Sequence, residues 1–290
     1  LRPDSLACFD EFGARQELPV THIDWDVEAA QKGNYEHFMM KEICEEPAAF
    51  IKTFDQYVTR DGALREEAFP WTAGEAAGLE RLTVVGCGTA CHAAMLGKRF
   101  IERLAGLTVD VDIASEFRYG DTRLKAGDVF LALSQSGETA DTIAAMRRAK
   151  ALGCRCYALC NVIGSTLSRE ADAVLYTHAG PEIAVAATKT YLAQIELMYL
   201  VALDLAQKRG LLDAAALKAR LEAMRALPES MRRILDNRER IQYFASRAFA
   251  VKHVFFIGRG MDYALALEAA LKLKEISYIN SEAYAAGELK

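Results

Sequence analysis

The sequence predicts an α/β fold: a doubly wound parallel five-stranded sheet followed by the start of a second, similar domain. Three observations carry this. From Leu82 onward, short apolar runs alternate with helical segments, the order that a parallel sheet with helices on both faces requires. The run Asp128–Leu133 shows no polar alternation, as expected for a strand covered on both sides. A strand–Gly-x-Gly pattern occurs twice, at Leu82–Gly88 and at His253–Gly260, with the glycine pairs 258 − 86 = 172 residues apart.

Taken in order, residues 1–30 read as a linker with one strand-like run, Val20–Trp25. Helical patterning runs from Tyr35 to Tyr57, with Pro47 expected to interrupt it or to start a new helix. The candidate strands are Leu82–Gly86, Thr108–Ile113, Asp128–Leu133, Arg155–Asn161 and Ala173–Thr177. Helices are expected at Ala90–Leu104, Thr139–Ala151, Ser165–Glu170 and Thr188–Lys208. Residues 31–211 thus form a first domain and 212–290 the beginning of a second. Leu212–Ala248 is charged and helical, and the repeated strand and its Ala-rich helix follow. A second landmark supports duplication: Ile113–Phe117 in the first copy is matched to Ile279–Tyr284 in the other. So short a second sheet must lean on the first domain, a partner, or further chain.

Composition narrows the functions. The 290 residues are 52% hydrophobic and 26% charged with net charge −5, a globular balance with no basic block for nucleic acid. The most apolar helix, Tyr191–Leu205, is broken by Gln194, Glu196 and Asp204, so no membrane span is expected. No signal peptide opens the chain, and Leu at position 1 suggests a piece of a longer polypeptide. Seven cysteines without framework spacing fit reduced thiols in a cytosolic protein. Cys87, Cys91 and His92 lack a second ligand pair, so no metal is expected. Gly86-x-Gly88 lacks the third glycine of a dinucleotide fingerprint: Cys91 holds that place, and Tyr263 holds it in the second copy. No nicotinamide or flavin cofactor is expected, and a tight strand-to-helix turn accounts for the glycines.

Chemistry concentrates at two places. Ser134-Gln135-Ser136-Gly137-Glu138-Thr139 joins the buried strand to the next helix. Free backbone N–H groups and a helix dipole point there, and three hydroxyls exceed the one that a helix cap needs, so the loop suits a phosphate. Thr89 points into the same crevice. Glu268, Lys272 and Glu275 lie at i, i+4 and i+7 and share a helix face. On spacing alone a solvated ion-pair ladder is the plainer reading, whereas the apolar neighbours Ala269, Ala270, Leu271, Leu273 and Ile276 would let a Lys–Glu pair work as acid and base.

The segments Phe38–Pro47, Cys87-Gly88-Thr89, Ala114–Tyr119, Ser134–Thr142 and Leu271–Tyr278 stand in this order. Together with the closing Glu282–Lys290 they make the chain, from about Trp25 on, resemble the isomerase part of the glutamine–fructose-6-phosphate aminotransferase family. The resemblance implies sugar isomerase (SIS) domains with flavodoxin-like strand order, and a cytoplasmic homodimer that makes glucosamine 6-phosphate from fructose 6-phosphate and glutamine. It also implies phosphate contacts by Ser134, Gln135, Ser136 and Thr139, and sugar contacts by Thr89 and the backbone at Val185. Glu275 would be the base between C1 and C2, with Lys272 beside it. Ala90 and Ala187 depart from the family's usual serines. The glutaminase domain, and a ring-opening His expected beyond Lys290, would lie outside this stretch, so the chain is expected to bind sugar phosphate without turnover. A non-catalytic sugar-phosphate sensor is the alternative, although no basic recognition helix precedes Leu82.

Overall fold

The computed structural model describes residues 5–17, 20 and 30–289. The strand expected at Val20–Trp25 lies, from Thr21 on, outside the described residues. A small antiparallel pair, β1 (Cys8–Phe9) and β2 (Arg15–Gln16), precedes the main body. Then come α1 (Phe38–Tyr57), α2 (Ala73–Gly78), β3 (Arg81–Gly86), α3 (Thr89–Ala105), β4 (Thr108–Ile113), α4 (Ala114–Tyr119) and β5 (Val129–Ser134). They are followed by α5 (Ala140–Ala151), β6 (Arg155–Cys160), α6 (Thr166–Glu170), β7 (Ala173–Tyr176) and α7 (Lys189–Lys208). The chain then runs through α8 (Ala214–Asp236) and α9 (Arg238–Ala248) to β8 (His253–Gly258), α10 (Met261–Ser277) and β9 (Asn280–Ala285).

The five predicted strands form one parallel sheet in the order β4-β3-β5-β6-β7. That is the flavodoxin-like order, in which the chain reverses direction across the sheet between β3 and β5 and leaves a crevice at their carboxyl ends. Successive residues of β5 serve opposite layers. Leu131 and Leu133 join the core beneath α1, α3, α7 and α8. Phe130 and Ala132 join the core beneath α4 and α5, where Phe117 meets Phe130 at 5.3 Å. A strand buried on both faces has no polar side to show, which is why its sequence reads as one apolar run. Cys154 and Cys156 belong to the second core; burial pushes the Cys156 thiol up to about 12.

One expectation is corrected: Pro47 neither starts nor breaks a helix, because α1 runs continuously through it. Proline removes one intrahelical bond and strains the preceding turn. Phe50, Phe54 and Tyr57, all buried in the main core, supply the packing that offsets this. Two short helices went unpredicted, and α2 carries a readable signal: Thr72 and Glu75 form a reciprocal capping box at its start.

The duplication is stricter than the sequence landmarks suggested. Adding 172 to the bounds of β3, α3 and β4 returns the bounds of β8, α10 and β9 without a gap. The turns repeat as well. Gly88 and Gly260, each preceding its helix, have φ of 51° and 61°, values that a side chain resists. Gly106 and Tyr278, each ending that helix, are both left-handed. The matched landmark was misplaced, however, because Ile279–Tyr284 mostly forms β9 itself. The equivalent of Ala114-Ser115-Glu116-Phe117 is Ala286-Gly287-Glu288-Leu289.

The second unit leans on the first, as its size requires: α10 packs on α3. One strand of its sheet leaves Phe255 57% and Ile257 56% exposed. The helix α8 packs on α1 and puts Leu217, Leu221 and Met224 into the main core. The sheet of the first unit therefore carries the stability. Leu131→Ala should destabilise the chain by about 2–5 kcal/mol and Phe255→Ala by less than about 1 kcal/mol. Urea unfolding followed by circular dichroism measures both, and equal losses would contradict this division.

Candidate functional site

The loop after β5 is built by its own hydroxyls. Ser134 closes the strand and is buried. Its hydroxyl accepts from the Gly137 N–H at 3.0 Å and meets the Thr139 hydroxyl at 2.9 Å. The Ser136 hydroxyl accepts from the Glu138 N–H at 3.1 Å. Gly137 sits at φ 67°, and a Cβ there would run into the Ser165 side chain. The Glu138 carboxylate accepts from the Thr166 N–H at 2.7 Å and ties the loop to α6; this bond holds its carboxyl below the usual range. Thr139 occupies the capping position of α5, yet its side chain caps no helix N–H. The hydroxyl is directed into the loop instead, beside the positive end of a twelve-residue helix.

Thr89, Ser134, Gln135, Ser136 and Thr139 line one cleft of about 140 Å³. Ala90 and Ala187, where the resemblance leads one to expect serines, line it too. Val185 does not line it; its side chain is 99% exposed. Thr190 and Gln194, from the start of α7, complete the wall. Gln194 is buried, and its Oε1, like the Tyr191 hydroxyl and Thr188 Oγ1, is buried with no hydrogen-bond partner among the described residues. Buried polar atoms are nearly always paired; of these three residues only Gln194 lines the cleft, and it gives that wall an unmet polar atom.

Lys272 and Glu275, on α10, do not line the cleft; Lys272 reaches it through Thr89, and Glu275 pairs with Lys272. Lys272 Nζ lies 2.7 Å from the Glu275 carboxylate, 3.3 Å from Glu268 Oε1 and 3.0 Å from Thr89 Oγ1. Glu268 is 4% exposed and also receives the Thr89 hydroxyl at 2.8 Å; its other oxygen lies 2.6 Å from His92 Nδ1. Burial pushes the Glu268 carboxyl up, but His92, Lys272 and Thr89 together outweigh it and hold the group below its ordinary value. Within the face Glu268–Lys272–Glu275, Glu268 and Lys272 are therefore a largely desolvated pair joined to Thr89, and the exposed Glu275 stands at its outer end. Cys91 and His92 do not converge: Cys91 faces the Asp112 carbonyl and His92 faces Glu268.

A second acidic group fixes the loop before α7. Glu42, buried on α1, accepts from the N–H groups of Ile183 at 2.6 Å and Ala184 at 3.1 Å. Glu182 accepts from the Thr188 N–H at 2.9 Å and also bonds the Thr190 hydroxyl. Glu45 takes Lys41 at 2.9 Å and Lys189 at 2.7 Å. Reading the sequence missed Gln194, His92 and these α1 carboxylates. Gln194 had a signal, a polar residue inside an apolar helix, which served only to exclude a membrane span.

Burial, with the nearby Glu182 charge, pushes Glu46 up to about 7. A carboxyl raised in the folded state holds a proton that the unfolded chain releases at lower pH. Its contribution therefore favours the folded state at low pH and is lost as pH rises from about 4.5 to 7. We expect Glu46→Gln to flatten the stability profile in that window by about 1–2 kcal/mol, after allowance for partial exposure. Urea midpoints from pH 4.5 to 8 measure it, and parallel profiles for both proteins would exclude the effect.

Comparison with known proteins agrees with this geometry. The SIS domain family model matches residues 78–204 and 249–290. Glutamine–fructose-6-phosphate aminotransferase (isomerizing) of Caldanaerobacter subterraneus is 49% identical over the whole chain, which covers 48% of that relative. The enzyme of the same name from Clostridium acetobutylicum is 45% identical over the same span, again 48% of its length. The chain thus spans about half the length of these curated relatives. The solved C-terminal domain of glucosamine-fructose-6-phosphate aminotransferase from Francisella tularensis matches with a TM-score of 0.84 at 35% identity, covering 89% of this chain and 72% of that one. Sheet order, duplicated unit and sequence agree: the chain belongs to the SIS domain family and, within it, to the C-terminal part of the glutamine–fructose-6-phosphate aminotransferases.

Proposed function

We propose that this chain is the sugar-isomerising part of an enzyme that makes glucosamine 6-phosphate from fructose 6-phosphate and glutamine-derived ammonia. The observation that carries the reading is the placement of Thr89. It lines the cleft with the hydroxyl-rich loop and is also bonded to Lys272, which pairs with Glu275. Phosphate recognition and an acid–base pair therefore meet at one residue.

In this reading Ser134, Gln135, Ser136 and Thr139 hold the phosphate, with the N-terminus of α5 supplying further donors. Thr89 and the backbone near Val185 contact the sugar. Glu275, the more exposed end of the ion pair with Lys272, takes a proton from C1 and returns it at C2. The C1 hydroxyl proton passes to the heteroatom on C2, so that the double bond moves from C2 to C1 and the ketose skeleton becomes the aldose. Lys272, 2.7 Å away, pairs with that carboxylate and fixes its position. The sensor alternative would need neither Glu275 nor its pairing with Lys272. A cytoplasmic homodimer is the setting that this reading carries, and light scattering on the full-length protein reads the assembly directly. Among the described residues no helix is long and apolar enough to cross a membrane.

Removing one donor from a desolvated phosphate costs about 1.5–3 kcal/mol. Calorimetry with fructose 6-phosphate should therefore show Ser136→Ala binding at least about tenfold more weakly than the parent chain. Equal affinities would sink the phosphate assignment. The same chain incubated with ammonium and fructose 6-phosphate should form no glucosamine 6-phosphate, because a general acid or base contributes about 10²–10⁴-fold and the ring-opening one is expected elsewhere. Turnover abolished by Glu275→Gln would instead show a complete site in this stretch.

A further inference from the structure

We infer that Glu268 and His92 are positioning residues of this site: they orient the Thr89 hydroxyl as an acceptor toward the sugar and hold Lys272 against Glu275. The inference rests on the reading of the cleft as a sugar-phosphate site and deepens it.

Donors and lone pairs at Thr89 are all accounted for but one. An ionised carboxylate only accepts, so the Thr89 proton is committed to Glu268 Oε1 at 2.8 Å. The Lys272 ammonium only donates, so it consumes one Thr89 lone pair at 3.0 Å. One lone pair remains. Whatever meets Thr89 in the cleft must therefore donate, which suits a sugar hydroxyl and disfavours a carbonyl or ether oxygen. Without Glu268 the hydroxyl could rotate and donate, and that selectivity would go.

Lys272 is fixed in the same way. It is held by Glu268 Oε1 at 3.3 Å and by Thr89, and faces Glu275 at 2.7 Å. The ammonium is thus placed from behind before it meets the base. Glu268 in turn is oriented by His92, whose Nδ1 lies 2.6 Å from Oε2, with the two side chains 15% and 5% exposed. At this burial the orientation of the carboxylate is set by these protein partners rather than by solvent. The lowered Glu268 carboxyl is consistent with a group kept ionised by these three partners. His92 and Glu268 belong to α3 and α10, elements that the 172-residue repeat makes equivalent, so the two halves of the duplication assemble this group jointly.

Two measurements test this. Glu268→Gln keeps the shape but loses the charge and one acceptor. We expect fructose 6-phosphate to bind about tenfold more weakly, the loss of one charge-assisted bond. The ¹⁵N signal of the Lys272 ammonium, distinct and slowly exchanging in the parent, should merge with those of the solvent-exposed lysines. His92→Ala, which leaves the carboxylate charged but free to turn, should show a smaller loss of affinity, about three- to fivefold, and a weakened Lys272 signal. It is also the variant to use if Glu268→Gln does not fold. Unchanged affinity in a folded variant, or an undisturbed Lys272 signal, overturns the inference. The NMR reading needs no sugar. A parent chain that fails to bind fructose 6-phosphate therefore removes the functional reading, while the Lys272 signal still reports separately whether Glu268 and His92 hold that ammonium.

Discussion

A helix packed against its own repeat is the contact on which the rest of the site depends. The helices α3 and α10 are equivalent by sequence offset and touch each other. Their contact carries a buried carboxylate rather than a plain apolar seam. Burying Glu268 costs several kcal/mol in desolvation unless its lone pairs are satisfied. Here Thr89, Lys272 and His92 all reach it. A half-satisfied network of this kind would be worse than leucines. The repeat must therefore dock in one register, and that register places Lys272 and Glu275 beside the crevice of the other unit.

The crevice itself follows from the sheet. Flavodoxin-like order separates the crossovers after β3 and β5 to opposite faces, so the loops at their ends stand apart. Thr89 leaves one loop and Ser134–Thr139 forms the other. Both strands are apolar on two faces because helices cover each, which leaves the loops as the place for polar chemistry. Gly137 adopts a left-handed turn that only a missing side chain permits beside Ser165, and this keeps the three hydroxyls together.

How much of this the sequence shows depends on how local each feature is. The strands and the hydroxyl loop were legible because their residues are contiguous and the apolar run needs no partner to be recognised. Ser134, Ser136 and Thr139 lie within six residues, and their geometry is set by one turn. The bond from Thr89 to Glu268 spans 179 positions, and no local pattern encodes it. Pro47 misled for a related reason: the local cost of proline is readable, whereas the packing of Phe50, Phe54 and Tyr57 that offsets it belongs to distant helices. The landmark Ile279–Tyr284 misled because a shared Ser-Glu pair outweighed spacing, while the constant offset of 172 held the correct answer.

The walls of the cleft differ in purpose. On the loop side every hydroxyl has an internal partner, so the loop is held in shape before anything arrives. On the α7 side Gln194 Oε1 is buried without a partner among the described residues, a cost of about 1–3 kcal/mol for a group left unsatisfied. A helix selected for stability alone would carry leucine or alanine there, as it does at Ala193 and Leu197, which are buried in the same helix. Local rules are broken in natural proteins mainly where function repays them. The unpaired side of the cleft is therefore the side where a ligand's hydroxyls would recover free energy, and the paired side is the one that holds still. Glu42, through the N–H groups of Ile183 and Ala184, anchors the loop between the two. Pre-organisation on one wall and an unmet polar atom on the other give the cleft a fixed shape and a group open to a polar ligand.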